Sequence, residues 1–318
     1  LALITILLTL LGWTTIPLFL RSFIEEVDGW TANGWRYAIS ALIWAPVLLI
    51  AWRRGSWPRG LWRAALVPSL FNAAGQACFG LAPYYIEPGL MTFSLRLQIV
   101  FVTVGAAIMF PAERRVIRST RFLLGVVMVV GGTAATLLLD PDGLGSGTGR
   151  GIALAVASGL LYAAYALAVR RSMTGINPIQ AFAAVSQFTA LILVALMLAV
   201  GERSGARAFD LSAGSWGMLV LSSLIGIGLG HTFYFYSIAR LGLAVSAGVV
   251  QLQPVTVSIA SMFIFGEKLT LPQWSFGLLA ITGAVLMLSV QQRVAKKVDV
   301  VLTAVSYTHL TLPTNREV

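Results

Sequence analysis

The chain has 318 residues, of which 58% are hydrophobic and 11% charged, and its mean hydropathy is +0.85. This is more apolar surface than one water-soluble core can bury, so the composition excludes a soluble globular protein. The net charge of +10 does not indicate a nucleic-acid partner, because the basic residues fall in short segments between apolar runs rather than on one face of a soluble domain. The sequence predicts an integral membrane protein whose partner is the lipid bilayer.

Apolar stretches recur along the chain at the length that a helix needs to cross a bilayer, about 20 residues. Glycine, proline and charged residues separate them, and no joint is long enough to hold a soluble domain. We therefore predict an all-α polytopic membrane protein with ten transmembrane helices. The predicted spans cover residues 1–20, 31–52, 63–86, 89–110, 121–139, 151–170, 178–200, 215–240, 244–265 and 273–291.

The distribution of lysine and arginine predicts the orientation of these spans. With the N-terminus in the cytoplasm, the segments on the inside hold 14 basic residues up to Lys297 and those on the outside hold 5. Positive residues near span ends stay on the cytoplasmic side, so we expect both ends of the chain to be cytoplasmic. The expected location is a bacterial inner (plasma) membrane.

The two halves of the chain resemble each other weakly. The stretch IMFPAERRVIRSTRFLLG aligns with MFIFGEKLTLPQWSFGLL, which places Glu113 against Glu267. The repeats would cover residues 1–140 and 151–292. Because each repeat holds an odd number of spans, the second must cross the membrane upside down relative to the first, as in many secondary transporters.

Small residues in the apolar helices predict where helices approach each other closely. Gly125 aligns with Gly277 and Gly131 with Gly283 once a difference of two residues in loop length is allowed. We expect these glycines to lie at contacts between helices.

Both ends of the chain differ from the transmembrane part. The chain starts in apolar sequence without methionine, so we expect native residues to precede Leu1. Residues 293–318 are predicted to form a cytoplasmic tail. Its last part, VSYTHLTLPTNREV at about 305–318, departs from the basic QQRVAKKVDV before it and is interpreted as non-native sequence.

Several motifs resemble the EamA-type transporters of the drug/metabolite transporter superfamily. They are GWTTIPLFLR in the first span, WRYAISALIWAP in the second, and the paired span ends FPAERR and FGEKLT. The strongest likeness is LGLAVSAGVVQLQPVTVSIASMFIFGEKLTLPQWSFGLLAITGAVLM, Leu241–Met287. The resemblance extends from residue 1 to about 295. It implies two inverted repeats of five helices around a central cavity and export of small metabolites, including amino acids, in a layout similar to the aromatic amino-acid exporters.

Polar residues inside the spans are expected to mark the solute pathway, because an amide or charge in lipid is unfavourable. Gln98 shares a helix face with Ser94, and the corresponding span of the second half carries Gln251 and Gln253 next to Pro254. Proline has no N–H, so it frees a carbonyl one turn earlier. The glutamines either line the pathway or join helices by hydrogen bonds, and Gln98 is a stronger pathway candidate than Arg96.

Two arginines lie inside predicted spans. Arg96 is seven residues from the outer end of its helix, at a depth of roughly 10 Å. It either extends back to the interface, where Glu87 can pair with it, or faces the cavity and binds a carboxylate of the substrate or an internal carbonyl. Arg36 lies nearer the outer start of its span, and we expect it to anchor that helix at the interface.

Trp13, Tyr162 and His231 are further candidates for the pathway. Trp13 and Tyr162 lie in the first helix of each half and either line the cavity or belong to the aromatic belt. Pro17, one turn after Trp13, is expected to bend that helix. His231 is either a proton-linked switch or a neutral packing residue.

A membrane-embedded enzyme would need a nucleophile with a base, paired acids or metal ligands within the bilayer. No predicted span has Asp or Glu at its middle, so we expect neither catalysis, a metal nor another cofactor. The sequence predicts a secondary transporter that exports small metabolites by alternating access. A facilitative channel or a helical scaffold is the alternative, and coupling to a proton or another ion stays open.

Overall fold

The computed structural model of the protein describes residues 2–111, 114–139, 146–241 and 243–309. Every regular element within these ranges is helical, and ten spans are long and apolar enough to cross a membrane. The predicted all-α fold and the number of spans are confirmed, and no predicted span boundary differs by more than three residues from the structure. Glu113 and residues 310–318 of the predicted tail lie outside the described residues.

We number the spans 1 to 10 in chain order. They run Leu3–Ser22, Gly29–Arg53, Leu61–Tyr84, Pro88–Met109, Thr120–Leu138, Thr148–Ser172, Pro178–Val200, Ala213–Leu241, Val245–Phe265 and Leu271–Arg293.

Six spans are continuous α-helices and four are interrupted. The continuous helices are Ala2–Ser22, Gly29–Arg53, Thr120–Leu138, Ser146–Ser172, Pro178–Val200 and Leu271–His309. Span 3 ends as a 3₁₀ turn, and spans 4, 8 and 9 change helix type or break within the bundle. Their parts are Leu61–Leu81 with Ala82–Tyr84, Pro88–Leu95 with Gln98–Met109, Ala213–Ser222 with the π-helix Ser223–Leu229 and Gly230–Leu241, and Leu243–Val250 with Gln253–Phe265. A short helix, Arg114–Ile117, precedes span 5.

Side-chain caps fix the start of several spans. Asp28 accepts hydrogen bonds from the backbone N–H groups of Trp30 and Thr31, both at 3.0 Å, and so caps span 2. Its second carboxylate oxygen accepts from the N–H of Glu202 at 3.0 Å. One side chain therefore caps span 2 and holds the loop after span 7 against it.

The spans of the two halves pack against each other in corresponding pairs. Span 2 packs along span 7, span 5 along span 10, and span 4 against span 9. Span 1 packs on spans 8 and 9, whereas span 6 packs on spans 3 and 4. Exchanging the two halves leaves this set of pairs unchanged, as two repeats related by a two-fold axis require. The inverted orientation of the repeats and the cytoplasmic location of both ends stay predictions.

Glycines allow spans 5 and 10 to approach to backbone contact. A Cβ atom added to Gly125 would lie 2.8 Å from the carbonyl oxygen of Gly283, and one added to Gly283 would lie 2.7 Å from that of Gly125. One added to Gly132 would lie 2.6 Å from the carbonyl oxygen of Phe276. These contacts leave no room for a side chain at any of the three glycines.

The contact predicted for Gly131 is wrong. A Cβ atom there would meet nothing within 4 Å, because the residue points away from span 10 and its neighbour Gly132 makes the contact. Gly277 does lie at a contact, although its partner is the Phe93 ring of span 4, 2.6 Å from the Cβ position.

Candidate functional site

Spans 4 and 9 are interrupted at corresponding positions. The breaks are two residues long, Arg96–Leu97 and Gln251–Leu252. The residues around them match, LRLQIV in Leu95–Val100 and VQLQPV in Val250–Val255. At both breaks the backbone tightens to hydrogen bonds between residues three apart, which is the 3₁₀ pattern. Each half of the chain therefore carries a helix break followed by a glutamine.

Arg96 lies in the break of span 4 and contacts the break of span 9. It is 7% exposed. Its Nη1 donates to the Val250 carbonyl at 3.3 Å and to Gln251 Oε1 at 3.4 Å, and its Nη2 donates to Gln253 Oε1 at 3.0 Å. Of the two alternatives for Arg96, the one in which it reaches back to Glu87 is wrong, since the guanidinium group is buried against span 9.

Two prolines leave backbone carbonyl groups near Arg96 free to accept hydrogen bonds from side chains. Pro254 has no N–H, so the Val250 carbonyl, four residues earlier, lacks its helical donor and accepts from the arginine. Pro17 has the same effect on the Trp13 carbonyl, which accepts from Gln253 Nε2 at 2.8 Å. The predicted carbonyl freed by Pro254 is confirmed, and it serves as a ligand for a buried cation.

Trp13 connects this cluster to span 8. Its indole Nε1 donates to the carbonyl of Gly226 at 3.1 Å, within the π-helical segment. The centroid of its ring system lies 5.0 Å from that of Tyr234 and 5.3 Å from that of His231. Trp13 therefore lies inside the bundle rather than in an interfacial belt.

His231 is held by packing and by a backbone acceptor. Its ring stacks on Phe182 of span 7 with the centroids 4.1 Å apart. Its Nδ1 lies 3.1 Å from the carbonyl oxygen of Ile227. A carbonyl only accepts, so Nδ1 carries the hydrogen. These contacts favour a packing role over a proton-linked switch.

Tyr162 and Gln98 lie apart from the other predicted site residues. The Tyr162 ring packs on span 3, where a Cβ atom added to Gly75 would lie 2.8 Å from it. Gln98 is half-buried and faces span 6, with its backbone nitrogen 3.4 Å from the Cβ position of Gly159. The structure thus brings together six of the eight predicted residues, which we call the Arg96 cluster. Its members are Trp13, Arg96, His231, Gln251, Gln253 and Pro254.

Arg36 was predicted to anchor span 2 at the interface, and this prediction is wrong. The residue is 1% exposed, with Nε donating to Ser222 Oγ at 3.0 Å and Nη1 donating to Asn33 Oδ1 at 3.3 Å. Ser40, on the same helix face, lies 3.0 Å from Ser186 of span 7. The spacing of three and four between Asn33, Arg36 and Ser40 indicates a polar helix face directed into the bundle.

A cavity of about 620 Å³ opens at the end of the bundle that the charge distribution places outside. Arg21 Nη1 donates to the Pro83 carbonyl at 2.8 Å, and Arg21 Nε lies 3.4 Å from Glu267 Oε1. The Ser261 hydroxyl donates to the other oxygen of Glu267. These contacts tie span 1 to the ends of spans 3 and 9. The cavity is lined by Arg21, Ser22, Ile24, Glu25, Glu87, Phe265, Gly266 and Glu267.

The titration of Glu267 is expected to make stability depend on pH. Burial raises the pKa of this carboxyl above its ordinary value, although Ser261 and Arg21 oppose that effect. The folded protein then binds the proton more tightly than the unfolded chain, so the contribution to stability grows as pH falls through the folded-state pKa and is lost as pH rises. Glu267→Gln should therefore lose this pH dependence and unfold at no lower temperature than the parent at neutral pH.

Thermal unfolding of the purified protein between about pH 5 and pH 8 measures this effect. The matched control is Glu25→Gln, which changes an exposed carboxylate of the same cavity and should leave the pH dependence of the parent intact. An identical pH dependence of the parent and Glu267→Gln would contradict the assignment.

The comparisons with known proteins agree with this description. Residues 149–289 match the model of the EamA-like transporter family, which confirms the resemblance to EamA-type proteins of the drug/metabolite transporter superfamily for that segment. Among solved structures, 26 chains match. One, titled only "Crystal structure of protein", is 16% identical, with a TM-score of 0.63 over 92% of this chain and 98% of its own. That likeness shows the fold alone. No curated protein matches.

The matched family is described as one of transporters, and the match covers 141 of the 318 residues of the chain. The EamA-like family is a family of transporters and not of enzymes. Within the part of the chain that the structure describes, no group of three or more His, Cys, Asp or Glu side chains is arranged to hold a metal ion.

Proposed function

We propose that this chain, whose second half is EamA-like, is a secondary transporter that exports small metabolites such as amino acids by alternating access. The observation that carries the proposal is the Arg96 cluster. A buried cation and two glutamines lie where spans 4 and 9 are both broken, and irregular backbone at membrane depth is found where it lines a cavity or is buried in protein.

The pairing of the spans supports alternating access. The main pairs of spans are kept when the two halves are exchanged, so each half can rock against the other around a fixed site. The Arg21–Glu267 contact joins the two halves at one end of the bundle. In this proposal the ion pair closes the pathway below the outer cavity, because it must separate before that end can open.

The same proposal places the protein in a bacterial inner membrane with both ends in the cytoplasm. The side chains exposed on the outside of the bundle are consistent with lipid contact, and Leu42 and Phe263 are 75% and 79% exposed. A facilitative channel would share these features. It differs from a carrier in that the passage of solute inward is not coupled to the passage of solute outward.

Counterflow in proteoliposomes tests the proposal. Liposomes loaded with an unlabelled solute should accumulate the labelled solute transiently when they contain the purified protein, and the panel should cover amino acids and nucleobases. A carrier gives counterflow, whereas a channel lets the label equilibrate without an overshoot. Uptake at the level of protein-free liposomes for every solute would contradict the proposal.

A further inference from the structure

Arg96 is a buried cation whose partners are all neutral. No carboxylate in the part of the chain that the structure describes neutralises its charge. Its hydrogen-bond acceptors among the described residues are the Val250 carbonyl and the amide oxygens of Gln251 and Gln253. A charge in the interior of a membrane protein is strongly unfavourable unless a counter-charge is present. The resting site therefore lacks one negative charge.

Two of the N–H donors of Arg96 are free. A guanidinium group has five, and three are used in the contacts to span 9. Nε is buried without a partner, and one N–H of Nη2 also has none among the described residues. Nε together with Nη2 is the edge of arginine that takes both oxygens of a carboxylate side by side.

The side-chain partners of Arg96 in span 9 are amides. Glutamates of the same shape at these positions would neutralise the arginine. Gln251 and Gln253 each differ from glutamate by one amino group, and either position would supply a counter-charge to Arg96 as a glutamate. The amides orient the guanidinium group without removing its charge. This arrangement suits a site that must accept an anion and then release it.

We infer that Arg96 binds the carboxylate of the transported solute at the breaks of spans 4 and 9, an inference that rests on the proposed transport function. The solute class is a small carboxylic acid, and an amino acid is one example. Aromatic residues suited to its apolar part lie nearby: Gln253 donates to the backbone carbonyl of Trp13, and the Trp13 ring lies 5.0 Å from the Tyr234 ring between centroids.

The test compares solutes that differ only in the carboxylate. Labelled L-phenylalanine, L-leucine and L-alanine are used as counterflow probes, each with its carboxamide as competitor, and labelled uracil is the probe without a carboxylate. The protein variants are Arg96→Gln, which removes the charge, and Gln253→Glu, which supplies an internal counter-charge. Arg54→Gln, at an exposed arginine, is the control.

We expect at least one amino acid to exchange and its carboxamide to compete at least tenfold less well than the acid. Arg96→Gln and Gln253→Glu should each lower exchange more than tenfold, and Arg54→Gln should leave it within twofold of the parent. Gln253→Glu gains an ion pair with Arg96 and loses the donor to the Trp13 carbonyl, so it should still purify as a monodisperse protein whose unfolding temperature lies above that of Gln253→Leu. That result separates loss of binding from loss of folding.

Equal competition by acid and carboxamide would overturn the inference, and so would exchange by Arg96→Gln within twofold of the parent. Exchange of uracil with none of the amino acids would also overturn it while leaving the transport function in place. If no probe exchanges, the transport proposal fails. The inference about Arg96 is then decided by thermal unfolding in the presence of each acid and each carboxamide. An acid that stabilises the parent but not Arg96→Gln supports the inference. If no acid stabilises the parent in this way, the inference is overturned.

Discussion

Gly132→Val is expected to remove most of the correctly folded protein. A Cβ atom at this position would lie 2.6 Å from the carbonyl oxygen of Phe276 and 2.8 Å from the backbone nitrogen of Ala280, and backbone atoms cannot move aside as a side-chain end can. Spans 5 and 10 would have to separate along their whole contact. Overpacking of this kind costs about 3 kcal/mol, which is a large part of the stability of an ordinary protein.

The matched control for this substitution is the adjacent glycine. Gly131→Val adds the same side chain to the same helix where nothing lies within 4 Å, so it should be extracted and purified like the parent. Yield, monodispersity in size-exclusion chromatography and unfolding temperature are the measurements. A Gly132→Val protein as stable as Gly131→Val would contradict the close approach of spans 5 and 10.

Gln253→Leu is expected to lower both stability and transport. The substitution removes the acceptor for Nη2 of Arg96, at 3.0 Å, and the donor to the Trp13 carbonyl, at 2.8 Å. Arg96 stays buried and the Trp13 carbonyl stays partly buried, and a group shielded from water that loses its hydrogen bond destabilises the fold by more than the bond itself contributes. The loss should be about 3 kcal/mol, with exchange more than tenfold slower.

Gln98→Leu is the comparison variant, because Gln98 holds the corresponding position in span 4. Its amide makes no hydrogen bond to another described side chain, so its loss should leave the unfolding temperature near that of the parent. Exchange should fall if Gln98 lines the pathway as the sequence predicts. Unchanged stability in Gln253→Leu would contradict the hydrogen bonds assigned to the Arg96 cluster, and unchanged exchange in Gln98→Leu would contradict the pathway role of Gln98.

Span positions could be predicted well from the sequence because a bilayer fixes the length of an apolar helix. Charged and small residues mark the joints, and the boundaries agree to within three residues. The carbonyl freed by Pro254 was also predictable, since it follows from the missing N–H alone. Pro68 gives a further example: it frees the Ala64 carbonyl, which accepts from Ser172 Oγ at 2.9 Å.

The direction of individual side chains was less predictable. Arg36 and Arg96 are both long enough to reach the interface, and depth in the helix does not say whether the neighbouring helix offers acceptors. In both cases it does: Ser222 for Arg36, and the break of span 9 for Arg96. The choice between Gly131 and Gly132 likewise depends on the rotation of span 5 about its axis, which a continuous apolar sequence does not fix.

The contacts of the two corresponding glutamines also could not be predicted from the sequence. Gln98 and Gln253 follow corresponding breaks and share the Leu-Gln sequence, yet Gln253 bonds to two other spans whereas Gln98 lies against Gly159 of span 6. Their difference comes from the arginine, which only the first half carries at the break. The spacing of residues in the sequence shows that the two halves are alike. The different contacts of Gln98 and Gln253 become visible only when the spans are packed together.

Access to the Arg96 cluster from the two sides of the membrane tests the central claim most directly. Gln251→Cys, made in a Cys78→Ser background so that it is the single thiol of the chain, places a reporter at the break of span 9. A membrane-impermeant thiol reagent should label it from either side, in right-side-out and inside-out vesicles alike. Arg21→Cys and Glu267→Cys are then added so that the outer mouth can be crosslinked before the reporter thiol is labelled. Crosslinking should abolish labelling from the outside and leave labelling from the inside unchanged. Labelling from neither side, or from one side under every condition, would contradict alternating access through this cluster.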